Sequence, residues 1–489
     1  MHSESISGYP PLPGRHLRLP ASRSSRKGGG TAFFCALVFF LWVVVVIAMV
    51  YSENPIRGLI TAATAIAIFS PVIARTLEGH FDLFEPIVPA TVALTSMFVV
   101  RPLSDQALSY YVHLGYNFHS TFDETLVTVL VGCVAFSVGY LSNVGTFLRR
   151  IFPNPGLSFP RKKVIRAAIV TGMLGLTLYG VFIATSGGLA TLALFLRGRS
   201  MELDHLQRNS TGYLYQAVGF LVPASFSFLA AWLHFRRRSF LILATLAAAP
   251  IVTLEIAQGT RSDMLPFAFG FCALYYLYKQ RRPTFKMLIA FGILVLGVST
   301  LLREMRNAPR KDLFADAGDV DDARQSLAGT FSSGGDDEMF DTLAIVSSIV
   351  PSKLPYDPLA VITDLTSRVL PRTLFPNKPM EATDKAVIVL WPQRYQRSRG
   401  SAASSILGNF YVYGGVAAVA IGCFGIGVLL NQIWKWYLGN SNNLNAILLY
   451  SFVPGLVVVL LRGTTVDTLD RMFYLVLPLV VQQIYWRKG

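Results

Sequence analysis

The chain has 489 residues, of which 53% are hydrophobic and only 15% charged, and its formal net charge is +15 at pH 7. A soluble domain carries about 25% charged residues, so a globule of this composition would expose far too much apolar surface. The apolar residues come in blocks of about 17 to 25, the length that crosses a bilayer core of roughly 30 Å. Backbone groups in such blocks must bond internally, which favours helices. The composition excludes a soluble enzyme and predicts an all-α polytopic membrane protein.

The chain divides into four parts. Residues 1–31 are rich in Ser, Gly, Pro and Arg and predict a disordered basic cytoplasmic tail. Residues 32–302 are predicted to form nine spans, residues 303–404 (the large loop) to lie outside the cytoplasm, and residues 405–489 to form three more spans. The predicted spans are 32–51, 58–74, 84–100, 122–141, 164–185, 213–233, 239–257, 262–278, 284–302, 405–430, 444–461 and 472–486.

Basic residues set the orientation of these spans. With twelve spans, five groups of Lys and Arg fall on one side. Cytoplasmic loops retain Lys and Arg, so this side is predicted to be the cytoplasm, with both termini there. Retention next to the membrane explains most of the positive charge, and no nucleic-acid partner is expected. The groups are Arg15, Arg18, Arg23, Arg26 and Lys27; Arg149, Arg150, Arg161, Lys162 and Lys163; Arg236, Arg237 and Arg238; Lys279, Arg281 and Arg282; and Arg487 and Lys488.

The large loop differs in composition from the rest of the chain. It carries 14 of the 28 acidic residues but only 13 of the 43 basic ones. Its acidic, Gly-rich insert, residues 312–338, has no role that the sequence assigns. From Thr342 the loop becomes apolar, and we expect that stretch to pack on the outer face of the spans. A loop of this length in a compact protein is usually functional.

Arginines also occur on the outer side, where the basic-residue rule predicts few. Snorkelling to lipid headgroups is one explanation for each of them. As a set they favour a second one, an anionic ligand such as a diphosphate, which guanidinium groups hold with paired hydrogen bonds. These residues are Arg57, Arg101, Arg197, Arg199, Arg208, Arg261, Arg462 and Arg471.

The predicted outer hairpin 258–263 is the first of four segments that place cations at this boundary. Gly259 and Thr260 permit a tight turn before Arg261, and the following helix N-terminus favours an anion. Glu255 lies one turn earlier, and we expect it to pair with an arginine because a carboxylate is expensive in lipid. A purely structural Glu–Arg pair is the alternative.

Three further segments carry the remaining candidate cations of the outer boundary. Residues 368–379 contain three prolines with Arg368, Arg372 and Lys378, which predicts a stiff substrate lip or a Pro-stiffened structural loop. The segment 462–471 connects the last two spans. Arg303 lies where the ninth span leaves the membrane.

Several familiar chemistries are missing from the sequence. The four cysteines lie in apolar blocks without metal-ligand spacing. There is no Gly-rich phosphate loop that ends in Lys-Ser/Thr, and the seven histidines form no cluster. His113 and His119, in a predicted outer loop, are the only histidines placed for chemistry. We expect neither a metal nor a cofactor.

Four motifs, in this order along residues 30–487, resemble the bacterial oligosaccharide repeat-unit polymerases, the Wzy-type O-antigen polymerases. Together with a dozen spans and a long loop toward the C-terminus, they imply the fold of the GT-C-like O-antigen polymerase and ligase superfamily. They are Asp82-Leu83-Phe84-Glu85-Pro86, Gly259-Thr260-Arg261-Ser262, the stretch 371–379 with Pro371, Arg372, Phe375, Pro376, Asn377, Lys378 and Pro379, and Gly408-Asn409-Phe410-Tyr411-Val412-Tyr413-Gly414-Gly415.

The resemblance implies a glycosyltransferase of the bacterial inner membrane with its active site facing the periplasm. Such an enzyme transfers a growing glycan from undecaprenyl diphosphate to a lipid-linked repeat unit and uses no nucleotide sugar. The implied partners are the undecaprenyl-diphosphate-linked oligosaccharide, membrane lipid, a chain-length-regulating copolymerase and a flippase. The product could be O-antigen, capsule or exopolysaccharide.

With this activity, the outer cations become candidates for holding the lipid diphosphate. Arg261, Arg372 and Arg462 are predicted to converge on one cavity as catalytic residues, and Asp341 to act as the base for the acceptor hydroxyl. Asp341 stands where the polar insert gives way to the apolar stretch. The alternative candidate bases, ranked after Asp341, are Asp263, Glu304 and Asp467. The predicted substrate-binding residues are Arg303, Arg368, Lys378, Arg471 and Glu255.

Three other functions remain open at this point. The first is an O-antigen ligase or a related lipid-linked-sugar transferase; in the ligases a histidine of the large loop is implicated, and this loop has none. The second is a lipid-glycan flippase or secondary transporter, although paired charges near the bilayer midplane and internal repeats are not evident. The third is a structural or signalling protein whose loop binds a partner.

Overall fold

The structure is a computed structural model that describes residues 27–146, 148–152, 155–156, 158–197, 212–258, 261–284, 286–287, 338–369, 380–393, 395 and 405–487. Helices make up most of these residues, and the strands among them form one two-stranded hairpin. The chain is an all-α polytopic membrane protein, as its composition predicts.

The helices follow one another with short connections. Those of the first part are α1 (Lys27–Tyr51), α2 (Pro55–Leu77), α3 (Ile87–Thr95), α4 (Arg101–Ala107), α5 (Phe122–Leu141), α6 (Leu148–Ile151), α7 (Arg161–Thr185), α8 (Leu189–Arg197), α9 (Gly212–Gln216), α10 (Leu221–Phe235), α11 (Arg238–Gln258) and α12 (Arg261–Lys279). Those of the second part are α13 (Met339–Ile349), α14 (Ala360–Val369), α15 (Ala382–Leu390), α16 (Ser405–Gly439), α17 (Leu444–Tyr450), α18 (Val453–Arg462), α19 (Thr465–Leu475) and α20 (Leu477–Arg487). A π-helical turn, Ser96–Val100, joins α3 to α4, and the strands are β1 (Val112–His113) and β2 (Tyr116–Asn117).

Among the described residues, eight helical segments are long and apolar enough to cross a membrane. They match eight of the predicted spans, the second to the seventh, the tenth and the eleventh. The predicted first and eighth spans are also helical, as α1 and α12, whereas most of 284–302 lies outside the described residues. The predicted last span is covered by two helices of 11 residues each, α19 and α20. The total of twelve spans remains a prediction.

The central contact of the molecule is the crossing of α5 and α16. A Cβ atom added at Gly139 would lie 2.2 Å from the carbonyl oxygen of Phe424, and one added at Gly427 would lie 2.2 Å from that of Phe136. Only glycine permits this approach, so the two backbones touch directly. Small residues at helix crossings are typical of membrane bundles, where packing rather than water drives association.

Two apolar cores lie on either side of α18. The first is formed by α1 to α5, α13, α15 and α16, and the second mainly by α7, α10 to α12, α17 and α20. Val457 and Leu461 of α18 belong to the first core, and Leu456 belongs to the second. The helix α18 therefore packs into both.

The described parts of the large loop pack on the helices rather than standing apart. Helix α13 lies against α5 and α16, and its side chains are almost all buried. Thr121 donates a hydrogen bond to the carbonyl of Ala344 at 2.7 Å. We call this end of the bundle, with β1, β2 and the described residues of 338–395, the loop face; the connection 78–86 lies at the opposite face.

Helix α16 is broken near the loop face. Gly414 and Gly415 have non-helical backbone angles, and Gly415 has a φ of +64°. The large loop is fastened here, because the N–H of Asp357 donates to the carbonyl of Val412 at 3.2 Å. The ring of Tyr356 covers Gly415, so that an added Cβ would lie 2.9 Å from the tyrosine oxygen.

The substitution Gly415→Ala is therefore expected to destabilise the protein by about 1–3 kcal/mol, because alanine is strained at positive φ and would also displace Tyr356. Gly425→Ala, ten residues further along α16, is the control, since no atom lies within 4 Å of its added Cβ. Thermal unfolding of the purified protein in detergent measures both. Equal melting temperatures for the two variants would contradict the packing of Tyr356 on the kink.

Candidate functional site

A rigid hairpin places His113 at the loop face. The turn between β1 and β2 consists of Leu114 and Gly115, with φ of 48° and 82°. Two positive φ values are what a type I′ hairpin turn requires, and a leucine rarely adopts one. The large loop holds the turn in place: Trp391 donates its indole N–H to the carbonyl of Leu114 at 3.0 Å, and Tyr116 donates to the carbonyl of Leu390.

A buried ion pair at the loop face joins Arg101 to Asp341. Arg101 Nε donates to Asp341 Oδ1 at 3.1 Å, and Arg101 Nη2 donates to Oδ2, so the pair is bidentate. The side chains are 4% and 0% exposed. Arg101 follows the π-helical turn Ser96–Val100, a feature that often occurs at functional sites. Asp105, one turn along α4, lies 3.3 Å from Arg101 Nε.

His113 lies between two acidic side chains of the large loop. Its Nε2 is 3.6 Å from Glu338 Oε2, and its Nδ1 is 4.0 Å from Asp341 Oδ2. The Glu338 side chain is 24% exposed, in contrast to the buried Asp341. The loop-face charge cluster, as we name it, comprises Arg101, Asp105, His113, Glu338 and Asp341. Its three carboxylates outnumber its one guanidinium, so negative charge surrounds the imidazole.

A second polar group at the loop face centres on Asn409, which is fully buried. Its Oδ1 accepts a hydrogen bond from Thr465 Oγ1 at 3.0 Å, and Tyr413 Oη lies 3.1 Å away. Tyr413 donates to Asp364 Oδ2 at 2.9 Å. Burial raises the pKa of Asp364, while the bonds from Tyr413 and from the N–H of Ala382 act in the opposite direction. This group joins α16, α14 and the start of α19.

The Gly408–Gly415 motif thus has a visible local role. Asn409 accepts from Thr465 and Tyr413 donates to Asp364, as described above. In addition, Tyr411 donates to Glu124 Oε1 at 2.9 Å. The amide nitrogen of Asn409 is buried without a hydrogen-bond partner among the described residues. The motif therefore fastens the tenth predicted span to α5 and to the large loop.

Arg462 and Arg471 lie at the loop face, the end of the bundle that also carries Asp341. Arg462 ends α18 and is partly buried. Arg471 donates to the carbonyl oxygen of Asp467 at 3.3 Å. The Asp467 carboxylate accepts from Thr464 and completes a capping box at the start of α19. The Asp467 carboxylate, one of the candidate bases, is therefore engaged in capping α19.

The other predicted residues are described only in part. Glu255 is buried near the end of α11. Arg261 begins α12 and Arg368 lies in α14, but their side chains are outside the described part, as is that of Asp263. Arg303, Glu304, Arg372 and Lys378 lie outside the described residues. Convergence of Arg261, Arg372 and Arg462 remains a prediction.

Asp341 has a partner that the sequence did not indicate. Among the described side chains, the arginine that contacts it is Arg101, and this bond occupies both of its oxygens. Such a carboxylate positions a helix better than it accepts a proton. Asp105 and Glu338 were not singled out from the sequence. Arg101 was named only as one of the outer arginines and His113 only as a histidine placed for chemistry, and neither was assigned to the site. The available signal was the i, i+4 spacing of Arg101 and Asp105 at the end of an apolar block.

The motif Asp82–Pro86 lies at the opposite face. Glu85 Oε1 accepts from Tyr140 at 2.7 Å and from Arg75 Nε at 3.1 Å, and Arg75 also donates to Asn431. Burial raises the pKa of Glu85, against the effect of these two partners. Asp82 pairs with Arg282. This group ties α2, α5 and α16 together far from the loop face, which favours a structural role.

Comparison of the chain with protein-family models, with curated proteins and with solved structures finds no match. Within the described ranges, no group of three or more His, Cys, Asp or Glu side chains is arranged to hold a metal ion. Function is therefore inferred from the chemistry of the loop face.

Proposed function

We propose that the chain is an inner-membrane polysaccharide polymerase that transfers a growing glycan from undecaprenyl diphosphate to a lipid-linked repeat unit at the periplasmic face. The observation that carries this proposal is the loop-face charge cluster, which fixes acidic side chains of the large loop to the membrane core. A lipid-linked sugar presents its diphosphate and its first sugars at the membrane boundary, while its tail stays among the spans. The cluster has more carboxylates than cations, so it suits the acceptor side, where a hydroxyl must lose a proton, and the diphosphate is assigned to the arginines of the same face.

The donor requires stabilisation of a leaving diphosphate. Positioned cations lower the energy of a transition state in which negative charge develops on the leaving group. In the proposal this is the task of Arg261, Arg372 and Arg462, with Arg303, Arg368, Lys378 and Arg471 as further substrate contacts. Arg462 lies at a helix end beside the Asn409 group, where α16, α18 and α19 meet.

Transfer to the acceptor requires that the large loop is held in one position on the membrane core. The loop-face charge cluster, the Tyr413–Asp364 bond and the Trp391–Leu114 bond tie three parts of that loop to α4, α16 and the hairpin. Such anchoring holds reacting groups in one geometry, a large source of rate acceleration. Arg101 and Asp341 serve this positioning in the proposal, and Glu255 is assigned an ion pair near the donor.

Arg462→Ala is expected to lower polymerisation by about 100- to 1000-fold, the usual cost of losing one transition-state donor. Arg462→Lys should also fail, because an ammonium does not reproduce the bidentate guanidinium fork. The measurement is glycan length made by purified protein from an undecaprenyl-diphosphate-linked repeat unit. Arg237→Ala, an exposed arginine of the predicted cytoplasmic side, is the control.

Two outcomes would contradict the proposal. Long glycans left unattached to lipid A in cells that lack the protein would indicate a ligase. Movement of the lipid-linked unit across liposome membranes without polymer would indicate a flippase. Cells that lack a polymerase are expected to contain single repeat units only.

A further inference from the structure

The loop-face carboxylates differ in their access to a substrate. A base must be reachable by the acceptor hydroxyl and must have a lone pair to receive the proton. Asp341 is fully buried and its two oxygens bind Arg101, while the Asp105 side chain is 3% exposed. Glu338 is 24% exposed and lies at the edge of the same cluster. Of these three carboxylates, Glu338 is the one that a sugar can approach.

The backbone holds Glu338 in a defined place. It is the residue before α13, and its carbonyl accepts from the N–H of Thr342 at 3.0 Å. The Arg101–Asp341 pair anchors the first turn of that helix. The Glu338 carboxylate is thus presented at the rim by a helix whose buried end cannot shift without breaking a bidentate ion pair.

His113 stands behind Glu338 on the rigid hairpin. Its two ring nitrogens face Glu338 at 3.6 Å and Asp341 at 4.0 Å, so the ring is oriented between two carboxylates. The first distance is longer than a hydrogen bond, but such contacts in substrate-free enzymes often tighten on binding. The imidazole of His113 can then orient the Glu338 carboxylate and exchange a proton with it.

We propose that Glu338 is the base that takes the proton of the acceptor hydroxyl, with His113 as the positioning residue behind it. This inference rests on the proposed function. The acceptor oxygen forms a bond to C1 of the donor sugar, the bond from C1 to the phosphate oxygen breaks, and undecaprenyl diphosphate leaves with that electron pair. The hydroxyl proton passes to Glu338 and from there to water, so atoms and charge balance.

Glu338→Gln separates this role from a structural one. Glutamine keeps the size of the side chain and its contact with His113, so a structural role would survive, whereas a base would be lost. We expect the polymerisation rate to fall by about 100- to 1000-fold with an unchanged melting temperature. Glu53→Gln is the matched control, because Glu53 is a loop-face carboxylate with 33% side-chain exposure that pairs with Arg57 outside the cluster.

Two further variants sharpen the test. Glu338→Ala should regain activity at least about tenfold in the presence of formate, a small carboxylate that can occupy the vacated space and accept the proton. His113→Asn should shift the low-pH limb of the rate profile, because it removes a titratable ring 3.6 Å from the Glu338 carboxylate. The ring also lies 4.0 Å from Asp341, which pairs with Arg101 of α4, and Arg101 in turn contacts Asp105.

The assay uses the full-length purified protein and an undecaprenyl-diphosphate-linked repeat unit. A wild-type protein that makes no polymer would overturn the proposed function and the base with it. A polymerising wild type with a fully active Glu338→Gln variant would overturn the base alone. Loss of thermal stability in Glu338→Gln, or no effect of formate on Glu338→Ala, would assign Glu338 a structural role and also overturn the proposal.

Discussion

Replacing Asp341 with alanine is expected to destabilise the protein by about 3 kcal/mol or more, because a buried ion pair that loses one partner leaves an uncompensated charge. Arg101 is 4% exposed and would keep only the contact with Asp105 among the pairs described above. Thermal unfolding in detergent and protein level in membranes measure this effect. Both should drop well below the wild-type values.

The triple substitution Arg101→Met, Asp105→Leu and Asp341→Leu provides the control, because Asp105 also pairs with Arg101 and would otherwise be left as a buried charge. Replacing every member of a buried ionic group by apolar residues of similar volume is often neutral or stabilising. We therefore expect the triple variant to recover most of the lost stability while its polymerisation stays low, since the ionic anchor that positions α13 is gone. A single Asp341→Ala variant that unfolds at the wild-type temperature would contradict the bidentate pair.

Gly427→Ala is expected to be a strongly destabilising single-methyl change in the membrane core. The added Cβ would lie 2.2 Å from the carbonyl oxygen of Phe136 and 2.7 Å from the N–H nitrogen of Tyr140, so α5 and α16 must separate. Overpacking of this kind costs about 1–3 kcal/mol and sometimes more, and here the obstacle is backbone that cannot rotate away. Protein level and melting temperature should both fall, and Gly139→Ala should behave alike.

Gly425→Ala on the same helix is the matched comparison for Gly427→Ala. Its added Cβ meets nothing within 4 Å, and alanine is favoured over glycine in a helix by about 0.5–1 kcal/mol. The two variants should therefore shift the melting temperature in opposite directions. Shifts of the same sign and size would show that helix propensity, and not the crossing, decides the result.

Eight of the twelve predicted spans match helices that are long and apolar enough to cross a membrane, because apolar length is the signal that marks a span. The predicted span 164–185, for example, lies within Arg161–Thr185. The tenth span was predicted to end at 430, but α16 continues to Gly439. The run of apolar residues ends at Asn431 and Gln432. The side chains of these two residues donate to the carbonyls of Ser142 and Val144, and the helix extends past them.

The site was harder to predict than the spans. Hydropathy shows at which membrane level a charged residue lies, so Arg101 and Arg462 were placed on the correct end of the bundle relative to Asp341. It does not show which charges meet. Arg101 and Asp341 are 240 residues apart in sequence, and their contact depends on how α13 packs on α5. His113 is brought to Glu338 by a tight hairpin turn that carries a leucine at positive φ, which no turn rule favours.

The position of α18 between the two cores has a mechanical consequence. Leu456 faces one core and Leu461 the other, and the helix ends at Arg462. A change of side-chain volume on either flank would slide or tilt this helix and so move the guanidinium group at its tip. Residues deep in the bilayer can therefore set the position of Arg462, the residue that the proposed function assigns to the diphosphate.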